Sequence, residues 1–67
     1  MLNQNQLTAL QYVKRTGGGA TKANFIDDHE PIGELLWGDI SGMVREDHNG
    51  RIWLTGRGEL ELSAGNK

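Results

Sequence analysis

The first half of the chain spaces its apolar residues with the period of an α-helix. The run "LTALQYVKRT", residues 7–16, predicts a first helix, and the three glycines that follow it predict its end. Thr8 and Gln11 have the spacing of a capping box, in which each side chain binds the backbone N–H of the other residue. Asn3 or Asn5 would instead cap an earlier start, so the beginning of this helix has more than one solution.

A second, short helix is predicted directly after the glycines. Thr21 is a suitable N-cap because its hydroxyl can accept a hydrogen bond from a free backbone N–H of the first turn. The helix would then run from Lys22 to about His29. Its apolar side is expected to comprise Ala23, Phe25, Ile26 and His29.

The next apolar pattern predicts a third helix. Pro31 fits its first turn, where a missing N–H is tolerated. One face of this helix is expected to be the core face, with Ile32, Leu35, Leu36 and Ile40. Gly42 would end the helix, whereas the weak helix former Gly38 favours an earlier end near Trp37.

Residues 43–55 read as a β-hairpin, and their apolar positions select its register. A two-residue Asn-Gly loop would mix apolar and charged side chains on each face. A three-residue loop, His48 to Gly50, instead sets Arg45 opposite Trp53 on one face. That register collects the apolar side chains on the other face: Val44, Ile52 and Leu54. Asp47 suits the first position of a type I turn, so we predict the three-residue loop, with its last residue in the left-handed conformation.

The segment after the hairpin allows two interpretations. Thr55 could cap a short fourth helix, while "ELELS" alternates with period two and could form a third strand. Residues 63–67 are expected to be a disordered tail, which leaves one domain over residues 1–62.

Composition narrows the function classes. The 67 residues contain no cysteine, seven basic and nine acidic side chains, so a disulfide framework is excluded and binding of nucleic acid by bulk charge is disfavoured. We see no signal peptide and no apolar run of transmembrane length, and expect a cytoplasmic protein without a membrane partner. No Ser-His-Asp spacing or poised carboxylate pair stands out, so we expect no enzyme.

Two short motifs are candidate ligand sites. "TGGGATK" lacks the spacing of a phosphate-binding loop and is best explained as a turn between helices. "DDHE", residues 27–30, would be a solvated helix end, because adjacent ligand-type residues seldom converge on one ion. We therefore expect neither a metal nor a cofactor.

Several motifs resemble the winged helix-turn-helix domain of MarR-type transcriptional regulators. "GMV", residues 42–44, stands where that family has "GLI". "NGR", residues 49–51, matches the tip of the wing, and "LTGRG", residues 54–58, matches "LT-x-x-G". "LTALQ" resembles the signature of the first helix. The resemblance implies an α+β, mostly α fold: three short helices, a hairpin wing and a short C-terminal element, for which it favours a helix.

The resemblance also implies how DNA would be contacted. In the family the third helix enters the major groove, and the wing reaches the neighbouring minor groove, often through an arginine. The third helix here would expose Gly33, Glu34, Trp37, Gly38 and Ser41, a face without Lys or Arg, which disfavours direct base reading. Arg51 follows the glycine of the wing tip, where its side chain could project beyond the domain.

Two functional hypotheses follow. The first is a small DNA-binding protein, a transcriptional regulator or accessory factor that contacts the phosphates of duplex DNA. Its candidate contacts are Thr21, Lys22, Ser41, Arg45, Arg51 and Arg57. The alternative is a protein-interaction module of the same fold, which would use Glu34, Trp37 and Asp39. The long dimerisation helices of the family have no counterpart, so the chain would be a lone module, a homodimer of another kind or part of a larger assembly.

Overall fold

The computed structural model describes residues 2–65, and within them it has four α-helices and one antiparallel two-stranded hairpin. The elements are α1 (Gln4–Thr16), α2 (Lys22–Asp28), α3 (Gly33–Asp39), β1 (Val44–Glu46), β2 (Ile52–Leu54) and α4 (Gly56–Gly65). The α+β, mostly helical layout predicted from the sequence is confirmed, and its element order is like that of a winged helix. None of the described helices is long and apolar enough to cross a membrane.

Helix α1 begins earlier than the Thr8 capping box predicts. Asn3 is the N-cap: its Oδ1 accepts from the backbone N of Gln6 at 2.8 Å, and the Gln6 Oε1 accepts from the backbone N of Asn3 at 3.0 Å. The alternative start at Asn3 is therefore confirmed, and the start at Thr8 is wrong. Both boxes have the correct spacing, but the earlier one adds a turn of backbone hydrogen bonds to a helix that is already nucleated.

Helix α2 begins as predicted. The Thr21 hydroxyl accepts from the backbone N of Asn24 at 3.3 Å and caps the helix. Thr21 also forms an antiparallel bridge with Arg51, and the backbone N of Ile52 donates to the Ala20 carbonyl at 3.0 Å. The segment before α2 thus lies along β2, on the side away from β1, and fixes the hairpin to the helices.

Helix α3 is shorter than its apolar pattern predicts. It begins at Gly33 with Ile32 as N-cap, so Pro31 lies outside the first turn. It ends at Asp39, between the two ends that the sequence allows. Ile40 follows as the C-cap, and its N–H donates to the Leu36 carbonyl at 3.0 Å.

Only half of the predicted core face of α3 is buried. Leu36 and Ile40 are 4% and 0% exposed, whereas Leu35 is 68% and Ile32 is 36% exposed. The reason is the close approach of α2 and α3: a Cβ on Gly33 would lie 2.3 Å from the Ile26 carbonyl oxygen. Gly33, which the sequence pattern predicts on the exposed face, therefore turns toward α2 and is buried, and Leu35 turns outward.

The hairpin has the predicted register. Val44 pairs with Leu54 and Arg45 pairs with Trp53. The backbone N of Gly50 donates to the Asp47 carbonyl at 3.0 Å, and Gly50 has a φ of 79°. This left-handed conformation is the one predicted for the last residue of a three-residue loop.

The segment after the hairpin is a helix, as the resemblance favours. The Thr55 hydroxyl accepts from the backbone N of Gly58 at 3.1 Å and caps α4. The third-strand alternative is wrong, because these residues satisfy their backbone within a helix. Residues 63–65 continue α4, so this part of the expected tail is helical. Residues 66 and 67 lie outside the described part.

The core lies between the helices and the inner face of the hairpin. Its buried apolar side chains are Ala9, Leu10, Val13, Ala20, Phe25, Leu36, Ile40, Met43, Val44, Ile52 and Leu62. Every element contributes at least one of them, so the hairpin and the helices share a single core.

Aromatic rings join α1, α2 and α3 at one side of this core. Phe25 meets the Tyr12 and Trp37 rings edge-on, at centroid distances of 5.8 and 5.5 Å, and stacks on His29 at 4.3 Å. The Tyr12 hydroxyl donates to Asp28 Oδ2 at 2.6 Å. Burial, and then this bond to a carboxylate, raise the pKa of Tyr12 to about 12.

Candidate nucleic-acid interface

The hairpin places two of the predicted arginines on one face. Since Val44 and Ile52 point into the core, the alternation of a strand turns Arg45, Arg51 and Trp53 to the opposite face. The Arg45 guanidinium carbon lies 5.8 Å from the centroid of the Trp53 ring, so the cation–π pair that the register implies is present. Arg45 and Arg51 are both exposed.

Asp47 organises the tip of the hairpin, and sequence reasoning found only part of its role. Its Oδ1 accepts from the backbone N of Asn49 at 2.8 Å and from that of Arg51 at 3.0 Å. Its Oδ2 accepts from the indole Nε1 of Trp53 at 3.0 Å. These bonds, foremost the one from Trp53, hold the pKa of Asp47 below its usual range. The loop is thus folded before any ligand arrives.

The sequence suggests that Arg51 could project freely from the wing tip, but in the structure it does not. Its Nη1 donates to the Gly18 carbonyl oxygen at 3.1 Å, which ties the wing to the turn between α1 and α2. The Trp53 ring lies over the same turn, so closely that a Cβ added to Gly18 would come within 2.3 Å of the ring atom Cζ2. One nitrogen of the guanidinium is therefore occupied, and its remaining donors are left for another acceptor.

Among the described residues, the arginines of the hairpin and its base form no close ion pair. Within residues 2–65, the one ion pair closer than 4.0 Å joins Lys14 and Glu59, at 2.9 Å, on α1 and α4. Arg45, Arg51 and Arg57 therefore form no ion pair within 4.0 Å with a carboxylate of the described chain. Such side chains are suited to binding a phosphate group.

Thr21 and Lys22 are consecutive in sequence, but only Thr21 lies beside the hairpin. The backbone of Thr21 lies beside Arg51, but its hydroxyl is committed to the α2 cap and donates to Asn24 Oδ1 at 3.1 Å. The Lys22 ammonium lies 5.5 Å from the centroid of the Trp37 ring, between α2 and α3. Lys22 therefore accompanies α3 more closely than it does the wing.

Ser41 and Arg57 lie at the base of the hairpin, away from its tip. Ser41 is exposed in the connection from α3 to β1. An Nη1 of Arg57 comes within 3.8 Å of the Cβ position of Gly42, in the same connection. The predicted contacts thus fall into a wing group, a group at the hairpin base and Lys22.

The three residues of the protein-interaction hypothesis lie on α3. Glu34 is exposed, as expected, and Asp39 is exposed as well. Trp37 is half-buried: it packs on Phe25, lies under Lys22 and lines a cavity of about 160 Å³ together with Ile26 and Glu34. Its main contacts are therefore internal, and Leu35, which the sequence assigned to the core, is the most exposed apolar side chain of α3.

Charge is distributed unevenly along the chain. Residues 22–41, which include α2 and α3, contain five acidic side chains and a single lysine. Residues 42–58, which include the hairpin, contain three arginines and two acidic side chains. An anion is accordingly favoured at the hairpin and disfavoured at α3.

Comparison with known proteins adds no relative: no family model, no curated protein and no solved structure matches this chain.

Proposed function

We propose that the chain is a winged-helix DNA-binding module, a transcriptional regulator or an accessory factor, which holds the phosphate backbone with the outer face of its hairpin. The observation that carries the proposal is the pair Arg45 and Arg51. Both are exposed, share one face and form no ion pair within 4.0 Å in the described chain. They stand on a hairpin whose tip is already ordered by Asp47, so binding would not require the loop to fold.

The spacing of the two arginines suits neighbouring phosphates. Arg45 faces Trp53, and Arg51 lies two residues before Trp53 on the other strand, so the arginines are diagonal neighbours. Such neighbours are separated by about 7–8 Å at the backbone, and long side chains extend this reach. Arg57, at the base of the hairpin, offers a third contact farther along.

The DNA-binding role that we propose for α3 differs from the role of the third helix in the MarR-type family that the chain resembles. Glu34 and Asp39 would meet phosphates with like charge, and α3 has no Lys or Arg for a base edge. Contacts to phosphates position a protein without selecting a sequence. We therefore propose binding that depends on duplex shape and salt concentration, with little preference among DNA sequences.

The test is a titration of labelled duplex DNA at several salt concentrations. Arg45→Gln and Arg51→Gln each remove one charge from the wing, and Arg15→Gln removes one from the exposed side of α1 as the matched control. We expect each wing variant to weaken binding and to flatten the slope of log K against log salt by about one. Circular dichroism would verify that all three variants are folded.

Two results would contradict the proposal. The first is a wild-type chain that does not bind duplex DNA at low salt, as monomer or as dimer. The second is an Arg15→Gln variant that reduces the slope as much as the wing variants do, because binding would then depend on overall charge rather than on the hairpin surface. Trp37→Ala serves as a further control, because loss of an uncharged side chain should leave the slope unchanged.

A further inference from the structure

Helix α3 presents an apolar surface to solvent where the sequence pattern predicts a core face. Leu35 is 68% exposed, and Ile32, three residues before it, is 36% exposed. Residues three apart on a helix are neighbours on its surface, so these two side chains form one apolar patch. A single exposed leucine is ordinary on a protein surface, and the patch gains meaning only from what surrounds it.

Acidic side chains flank the patch. Glu34 and Asp39 are exposed on α3, and the described part of this helix carries no basic residue. Asp39 lies in the last turn, where the helix dipole disfavours a negative charge, so stability of α3 does not account for it. A cation supplied from outside would relieve this unfavourable placement.

A cavity lies between α2 and α3, beside Glu34. It has a volume of about 160 Å³, its apolar walls are Ile26 and Trp37, and its polar walls are Lys22 and Glu34. Glu34 lines this cavity, whereas Leu35 lies about 100° farther around the helix, so the patch is separate from the cavity.

We infer that Ile32, Leu35, Glu34 and Asp39 form a docking surface for a segment of another protein that carries an apolar side chain between lysines or arginines. We call these four residues the α3 surface. A basic amphipathic helix is the simplest segment of this kind. The interaction lies beyond the proposed DNA contact and uses a different element of the fold.

Charge selects this occupant over three others. Duplex DNA and an anionic membrane would both be repelled by Glu34 and Asp39. A second copy related by a two-fold axis would bring each α3 surface against an identical acidic surface. The sequence-based hypothesis of a protein partner is thereby kept, but its apolar contact moves from Trp37 to Leu35 and Ile32.

The experiment is a selection from a library of random peptides displayed on phage, with the intact wild-type chain as the target. Affinities of the enriched peptides are then measured for the wild type, Leu35→Ser and Leu60→Ser. Leu60 is the matched control, because it is 73% exposed on α4 and the substitution is the same. Circular dichroism would verify that both variants are folded.

We expect enriched peptides with basic residues around an apolar one. Their affinity should fall about tenfold or more for Leu35→Ser and stay near the wild-type value for Leu60→Ser. Glu34→Gln combined with Asp39→Asn should reduce the salt dependence of binding. Arg51→Gln should leave peptide binding intact, which separates this inference from the DNA proposal.

Several outcomes would overturn the inference. These are no enrichment, enrichment of acidic peptides, or equal affinities for the two leucine variants. Sedimentation of the wild type and of Leu35→Ser addresses the remaining occupant. A wild-type dimer that the substitution converts to a monomer would assign the α3 surface to a second copy of the chain.

Discussion

Gly33→Ala tests the close approach of α2 and α3, on which the outward orientation of Leu35 depends. An alanine Cβ at this position would lie 2.3 Å from the Ile26 carbonyl oxygen, 2.7 Å from its Cα and 2.9 Å from its carbonyl carbon. Ordinary contacts between heavy atoms need about 3.5–4.0 Å. All three atoms belong to the backbone, so no change of rotamer relieves the overlap, and the two helices must separate by about 1 Å.

The expected change in the free energy of unfolding can be compared with that of Gly38→Ala in the same helix, where a Cβ would meet no atom within 4 Å. Replacement of glycine by alanine inside a helix stabilises by up to about 1 kcal/mol. Overpacking costs about 1–3 kcal/mol, and an overlap with rigid backbone belongs in the upper part of that range. We expect Gly33→Ala to lower the free energy of unfolding by about 1–2 kcal/mol and Gly38→Ala to raise it by about 0.5–1 kcal/mol.

Thermal unfolding followed by circular dichroism would measure the two effects. For a domain of this size, 1 kcal/mol corresponds to about 4–8 °C in Tm, so the two variants should differ by at least about 6 °C. Urea unfolding at constant temperature would supply the free energies directly. A Gly33→Ala protein as stable as Gly38→Ala would refute the close approach, and with it the orientation of α3 that exposes Leu35.

The remaining predictions concern the core and the aromatic cluster. Leu36→Ala should destabilise by about 2–5 kcal/mol in urea unfolding, because the 4% exposed side chain leaves a cavity; a loss below about 1 kcal/mol would show that α3 buries another face. The absorbance of the single tyrosine should titrate near pH 12 rather than at the ordinary value of 10.0. Because the folded pKa of Tyr12 is raised, its contribution to stability is complete below pH 10 and is lost as pH rises toward 12. Asp28→Asn should lower this midpoint while leaving it above 10, since burial is the larger cause; an unchanged midpoint would exclude a role for the hydrogen bond.

The parts of the fold that could be predicted are those decided by near neighbours in sequence. The hairpin register follows from the positions of a few apolar side chains around a short loop, and it is confirmed. Thr21 and Thr55 cap the helices that follow them, because a hydroxyl reaches a backbone N–H only three residues away. The start of α1 is harder to predict from the sequence, since two capping boxes have the same spacing and only the completed helix distinguishes them.

The face of α3 could not be predicted from hydrophobic pattern. A glycine adds nothing to an apolar pattern, yet Gly33 determines how closely α3 approaches α2. Leu35 therefore counts as a core position in the sequence and is a surface residue in the structure. The bond from Arg51 to Gly18 was equally hidden, because it joins residues 33 positions apart. Arg45 beside Trp53 was predictable, since the pairing of the strands places them together.

The separation of charge between the hairpin and α3 has a consequence for how the molecule approaches any partner. Its net charge is −2, so a polyanion such as DNA repels it as a whole at long range. Closer in, the arginines of the hairpin are attracted and the carboxylates of α3 are repelled, which exerts a torque that turns the hairpin toward the polyanion. A basic partner exerts the opposite torque and turns α3 toward itself. The orientation of the first encounter would thus report the sign of the partner's charge, within a range that shrinks to about 10 Å at 0.1 M salt.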